Sequence, residues 1–293
     1  MKRKILITGA AGSIGSEITL PMQDYVLVDR DEFGLFQLMH KFKERTDICF
    51  ELADVQDEYR MKQIIKSHKP DLIIHAAAYK QLPFLEEYPY EAYTNNSLAT
   101  INLVRWAEEL KVPEFIYIST DKAVNPISHL GKSKRLGEEF VLSSKSALKR
   151  KVIRFGNVIY SRGAVQESFE MQLKKQGYIE LTDEQMQRYF LTSNQLVKGM
   201  RELVNLEEEG LFIMKMGAPK MILDFAKEFL LSKGYSDDAI KIIGVRPGEK
   251  LSEDLHFENE ILIKSFDSLN LYESPLIEFD EGKVHELIKN YLK

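Results

Sequence analysis

Cysteine is nearly absent: Cys49 is the single one in 293 residues. No intramolecular disulfide can form, which excludes a disulfide-stapled secreted scaffold. Cys49 lies in the apolar stretch Ile48 to Leu52 and reads as core. The six histidines are scattered without metal-ligand spacing, so no metal site is expected. No apolar run is long enough to span a bilayer. The run between Lys4 and Gly9 is too short for a signal peptide, and a cytoplasmic protein is expected. A basic excess is missing too: the net charge is −5, with both signs interspersed. That argues against a nucleic-acid surface, and an acidic ligand must be held by local basic groups. Repeats, low-complexity segments and an evident linker are also lacking.

What is present is enough apolar residue, 44%, for one large α/β domain or a domain with a smaller lobe. A short apolar strand, Lys4 to Thr8, runs into Gly9-Ala10-Ala11-Gly12-Ser13-Ile14-Gly15. A strand, a glycine-rich turn and a helix opening make a dinucleotide phosphate site, because glycines let backbone N–H groups approach the pyrophosphate. The helix that follows is limited by Pro21. A second strand, Tyr25 to Asp29, ends in a carboxylate placed for the adenosine ribose hydroxyls, which argues for NAD over NADP. Two features pull the other way. Asp29 follows Gly15 by fourteen residues, where about twenty is usual, and the adjacent Arg30 suits a 2′-phosphate.

A third strand, Ile48 to Leu52, leads to Ala53-Asp54-Val55, with Asp54 a candidate for the adenine amine. Asp57 to Ser67 reads as an amphipathic helix. A fourth strand ends in His75-Ala76-Ala77-Ala78-Tyr79-Lys80. Ala76, Ala77 and Ala78 let a cofactor lie close over the backbone, with tight packing as the plain alternative, and Lys80 points to a ligand edge. A long helix from Tyr90 to Leu110 carries Asn96, whose amide is placed to steady the crevice. Strands alternate with helices to Phe155, so the fold class is α/β: a doubly wound parallel Rossmann sheet with a smaller C-terminal α/β lobe. Residues 1–155 are expected to form the dinucleotide domain, with 191–216 packing back on it. Residues 156–190 and 217–293 are expected to form the second lobe.

The fifth strand, Phe115 to Ile118, ends in Ser119-Thr120-Asp121-Lys122. Polar residues at the carboxyl end of a parallel strand face the ligand crevice. A carboxyl beside an amine can donate and accept protons. Taken alone, the stretch also reads as a capped strand end and a turn.

The segments ITGAAGSIGSE, HAAAYKQLP, ISTDKAVNPISHLGKSKRLGEE, RFGNVIYSRGAV, LTDEQMQRYFLT and GVRPGEKLSEDL occur in this order from Ile5 to about Leu255. Together they resemble the extended short-chain dehydrogenase/reductase superfamily. Within it they resemble the UDP-N-acetylglucosamine 4,6-dehydratases of polysaccharide biosynthesis. The resemblance implies oxidation at carbon 4 of the sugar by NAD+, elimination of water across carbons 5 and 6, and return of hydride to carbon 6. It implies cofactor binding by Gly9, Gly12, Ser13, Ile14, Gly15, Asp29, Arg30, Asp54, Val55, the three alanines, Asn96 and Lys134. Asp121 would protonate the departing hydroxyl, Lys122 would be the base at carbon 5, and Thr120 would bond the oxygen on carbon 4. Lys134 would hold the nicotinamide ribose. The UDP-sugar would be held by Lys80, Asn157, Arg162, Val165, Arg188, Arg246 and Glu249; arginine suits a diphosphate because its planar fork pairs with phosphate oxygens. The resemblance also implies self-association through sheet-flanking helices.

One position departs from the superfamily pattern. Four residues before Lys134, where most members carry the tyrosine base, stands Leu130. The resemblance then implies the dehydratase branch that retains configuration at carbon 5, which has methionine there. The alternatives are an inverting dehydratase or an epimerase, for which the tyrosine is missing, and a non-catalytic NAD-binding scaffold.

Overall fold

The computed structural model describes residues 2–19, 23–143, 146–159, 161, 163–275 and 279–291. Pro21 and Arg162 lie outside the described residues.

Seven short segments form parallel strands: β1 (Lys4–Thr8), β2 (Asp24–Asp29), β3 (Ile48–Leu52), β4 (Leu72–His75), β5 (Glu114–Ile118), β6 (Lys149–Arg154) and β7 (Gly210–Met214). An antiparallel hairpin, β8 (Ile261–Ser265) and β9 (Leu269–Glu273), extends the sheet beyond β7. The order is β8-β9-β7-β6-β5-β4-β1-β2-β3. Helices cover both faces, so β1, β4 and β5 are apolar almost throughout rather than alternating. The strand order reverses between β1 and β4, and a crevice opens at that switch point.

The chain leaves the sheet after β6. Helices Val165–Gln176 and Ile222–Ser232 enclose a separate small core of Phe169, Leu173, Ile179, Phe190, Ala226 and Leu230. This is the second lobe. Helix Ser193–Asn205 returns to the sheet, held at its start by a capping box of Thr192 and Gln195.

The structure corrects several sequence expectations. Residues 261–273 fall in the stretch expected to belong to the lobe, but they complete the main sheet through β9 on β7. The C-terminal helix Glu281–Asn290 likewise packs Val284 and Ile288 against Tyr93, Ile101 and Leu136 of the dinucleotide domain. An amphipathic hairpin and helix carry no local mark of which core they join. Cys49 is exposed, not core, because β3 is the outermost strand. The long helix expected from Tyr90 contains a π-helical stretch, Ala92–Leu98. The wider turn buries Asn95 and Asn96, two consecutive side chains, on the sheet side.

One buried group makes stability depend on pH. His75 pairs with Thr8 in register at the ends of β4 and β1. The Thr100 hydroxyl gives its proton to the Asn96 carbonyl, 2.7 Å away. His75 Nε2, 3.0 Å from that hydroxyl, therefore donates, and Nδ1 accepts from Thr8 at 2.7 Å. A neutral ring satisfies all partners. Burial, with Lys134 nearby, lowers the His75 pKa from 6.5 to about 3. The unfolded chain binds this proton first, so stability is full above about pH 6.5 and falls as the pH drops towards 3. Urea unfolding of the wild type and His75→Gln at pH 7.5 and pH 4.5, each buffered, should show the wild type losing more stability, on the order of 2 kcal/mol more. Parallel losses in both proteins would remove His75 as the cause.

Candidate active site

The crevice holds two adjoining cavities, of about 280 and 220 Å³, which share Ala76 and Ala78 in their walls. The smaller is walled by Gly9, Gly12, Asp29, Arg30, Asp54, Val55 and the three alanines. Gly9 has φ of +67°, and a Cβ there would lie 2.6 Å from the backbone of Ala77, so only glycine lets β1 turn this close to the β4 end. A Cβ at Gly15 would meet the Gly9 carbonyl at 2.2 Å. Both Asp29 oxygens accept from backbone, Oδ2 from Ala11 N–H and Oδ1 from Asp31 N–H, each at 2.9 Å. Arg30 donates to Asp54 at 3.1 Å and lies 4.6 Å from the centre of the Tyr79 ring.

Asn96 is buried behind this wall. Its carboxamide accepts from Tyr79 N–H at 2.8 Å and donates to Tyr79 O at 3.0 Å, clamping the loop after β4. Asn95, not among the expected site residues, itself lines the smaller cavity; the π turn that places it there has no local signature.

The larger cavity collects Ile14, Lys80, Thr120, Lys122, Leu130, Lys134, Asn157 and Val165 on its wall. Thr120, Asp121 and Lys122 follow directly on β5, where a 3-10 turn, Asp121–Ala123, reverses the chain. Lys122 Nζ donates to Asp121 Oδ1 at 2.9 Å and to Asn157 Oδ1 at 3.5 Å. Thr120 Oγ1 donates to Asp121 Oδ1 at 2.9 Å. Asp121 itself is fully buried behind these two side chains, and its Oδ2 has no hydrogen-bond partner among the described residues. The expected proton donor is thus set back from the cavity, because Gly156 closes against Oδ2: a Cβ there would sit 2.9 Å from it.

Lys134 comes from helix His129–Ser143, which also presents Leu130. Its Nζ donates to the Ile118 carbonyl at 2.6 Å and lies 4.1 Å from the centre of the Tyr117 ring. Burial lowers its pKa from 10.5 to about 7, opposed by Glu138. Leu130 packs with Leu85 and Ala92.

Three groups expected to hold the UDP-sugar are not brought to the cavity wall. Arg188 is buried and spends its Nη1 on the carbonyls of Gln187, at 2.8 Å, and Leu251, at 3.2 Å. Arg246 is exposed, and Glu249 closes the Arg246–Glu249 turn by hydrogen bonds to it. That same segment does reach the stretch after β5, through residues sequence reasoning did not select. Lys250 Nζ donates to the Val124 carbonyl at 2.6 Å. Glu253, 4% exposed, lies 4.0 Å from Lys122 and 3.3 Å from Lys250. A carboxylate placed behind an amine from a distant segment leaves no spacing to read.

A dinucleotide-fold crevice at the sheet's switch point, with a hydroxyl, an amine and a buried carboxyl after β5 and a buried lysine beyond them, defines an extended short-chain dehydrogenase/reductase. Residues 5–270 match the polysaccharide biosynthesis protein family, and the chain belongs to it. It is 36% identical over 274 residues to the capsular polysaccharide biosynthesis protein CapD of Staphylococcus aureus, covering 88% of this chain and 46% of CapD. The chain thus spans about half the length of that relative. It is also 31% identical over 288 residues to UDP-glucose 4-epimerase of Rickettsia bellii, covering 94% and 83% of the two chains. Among solved structures, Pen from Bacillus thuringiensis aligns with a TM-score of 0.85 at 27% identity, over 96% of this chain and 89% of Pen. DesIV of Streptomyces venezuelae, a dTDP-glucose 4,6-dehydratase solved with NAD, shares the fold with a TM-score of 0.77 at 18% identity, over 86% and 88% of the chains. Among the described residues, no helix is long and apolar enough to cross a membrane.

Proposed function

We propose that this chain is an NAD-dependent UDP-N-acetylglucosamine 4,6-dehydratase that retains configuration at carbon 5. The observation that carries the reading is Thr120 and Lys122 on the cavity wall, backed by the buried Asp121, with Leu130 on the same wall at the sequence position where a tyrosine base would stand. The residues of the smaller cavity fit a dinucleotide: a backbone floor at Gly9 and Gly12, and carboxylates at Asp29 and Asp54. Those carboxylates favour NAD, since a 2′-phosphate would have to draw Arg30 away from Asp54. When bound there, NAD supplies a reversible hydride acceptor, so the reaction is redox-neutral overall.

The chain's own residues do the proton work. Thr120 bonds the oxygen on carbon 4, and the Lys122 amine takes the proton from carbon 5 once a carbonyl at carbon 4 has acidified it. The departing hydroxyl on carbon 6 is protonated from the Asp121–Lys122 pair, with Lys122 presenting the proton to the cavity. The hydroxyl proton of carbon 4 and the hydroxide of carbon 6 leave together as water, and carbon 5 regains a proton. Lys134, with a pKa near 7, anchors the cofactor end of the cavity and favours negative charge on the sugar oxygen. Leu130 has no proton to move, so the carbon-4 hydroxyl must yield its proton through Thr120 to the Asp121–Lys122 pair.

The Rickettsia relative favours a second reading, epimerisation at carbon 4. One assay separates the two. Purified protein with UDP-N-acetylglucosamine, with and without NAD+, should give a product lighter by one water and carrying a 4-keto group. An isobaric 4-epimer would establish the second reading instead, and no conversion under either condition would overturn both. Proton NMR of the product made in deuterated water reads the configuration at carbon 5.

A further inference from the structure

Helix Val165–Gln176 brings Gln166 onto the wall of the larger cavity in its first turn. The side chain is 6% exposed. Neither Nε2 nor Oε1 has a hydrogen-bond partner among the described residues. A carboxamide can make up to four hydrogen bonds, two as donor and two as acceptor. Buried polar groups are almost always satisfied, so a carboxamide unsatisfied at both ends is rare within a packed core. On a cavity wall it has a direct explanation: the missing partner is the ligand. Its chain neighbours on the wall, Ala164 and Val165, are apolar and offer no side-chain substitute.

We infer that Gln166 reads a planar amide of the bound ligand, Nε2 donating to its carbonyl and Oε1 accepting from its N–H. One group with a donor beside an acceptor satisfies both ends of the carboxamide together. A phosphate offers acceptors alone. In the substrate class proposed above, on which this inference rests, amide chemistry occurs in the uracil ring and in the N-acetyl substituent. Gln166 is then a specificity-determining residue, since a site built to pair an amide rejects an analogue that leaves its own buried groups unpaired.

The test compares the wild type with Gln166→Leu, which keeps the volume and removes both polar ends. Calorimetric titrations use UDP, UDP-glucose and UDP-N-acetylglucosamine. The substitution strands no polar group, so the ligand-free variant should melt at or above the wild-type temperature. Affinity should fall roughly tenfold for each hydrogen bond lost. An equal loss for all three ligands identifies the uracil as the group read; a loss confined to UDP-N-acetylglucosamine identifies the N-acetyl group. Unchanged affinities would overturn the inference. So would a loss shared by both sugars but not by UDP, which would put Gln166 on a sugar hydroxyl. A wild type that binds none of the three defeats the UDP-sugar reading itself, and this inference with it.

Discussion

Lys122→Met should lower dehydration of UDP-N-acetylglucosamine by roughly a hundred- to ten-thousandfold, the usual worth of a positioned proton-transfer group. The substitution keeps the aliphatic stem and removes the amine that meets Asp121, Asn157 and, at 4.0 Å, Glu253. It also has a structural cost. Asp121 is fully buried, and without the ammonium it keeps one charged neighbour fewer and the Thr120 hydroxyl alone on Oδ1. A drop in melting temperature is therefore expected as well. The two effects separate in the double variant Asp121→Asn/Lys122→Met. Neutralising the stranded carboxyl should restore much of the stability, while turnover stays at the single-variant level. Turnover within a few-fold of wild type in Lys122→Met would show that this amine is not the base at carbon 5.

The second large effect is on stability. Arg154 and Glu138, both with no exposed side-chain surface, form a forked pair, with both contacts at 2.7 Å. Glu260 closes the other side of the guanidinium at 2.6 and 3.0 Å. Ser119 donates to Glu138 at 2.6 Å, and Arg135 adds a contact at 3.2 Å. Four segments meet there: β6, the end of β5, the helix that carries Lys134, and the chain before β8. Burial by itself would raise the Glu138 pKa, but Arg154 beside it brings the net shift below the usual 4.5. The stabilisation is thus complete above about pH 4.5 and fades as the pH falls through the lowered value. Arg154→Leu leaves two buried carboxylates with Arg135 as their remaining ion-pair partner among the described residues, at 3.2 and 3.9 Å. At pH 7 it should cost about 3–5 kcal/mol, read by urea unfolding. A cost below about 1 kcal/mol would mean that the network behaves as solvated surface charge.

The network's position also bears on chemistry. Ser119 directly precedes Thr120, and Glu138 lies one helical turn beyond Lys134. The ion cluster therefore holds the two sides of the cavity at a fixed separation. Its loss should disturb catalysis even where the fold survives.

Much of the architecture is legible in the chain. The apolar runs at β1, β2, β4 and β5, each closed by a glycine, a carboxylate or a row of small residues, announce parallel strands with a ligand edge. The segment from Ser119 to Lys122 and the lysine at 134 mark where polar and charged groups gather at that edge. These are local statements: strand period, turn residues and strand-end polarity lie within a few residues of one another, and backbone geometry turns them into position.

What the tertiary structure decided is partnership and exposure. Asp121, chemically the obvious acid, lies behind Thr120 and Lys122 because the chain after β6 packs Gly156 against it. Arg188, chemically an apt phosphate ligand, lies off the cavity wall with its Nη1 on two backbone carbonyls. Glu253 reaches Lys122 from a segment distant in the chain. Gln166, on the cavity wall, has no hydrogen-bond partner among the described residues. The last hairpin joins the main sheet rather than the lobe. Each depends on which distant surface a side chain is packed against. Burial and long-range hydrogen bonding set that choice, and neither leaves a period in the sequence. The chain by itself determined a dinucleotide-type crevice and the polar groups at its edge; packing decided which of those groups line the cavity and which lie behind them.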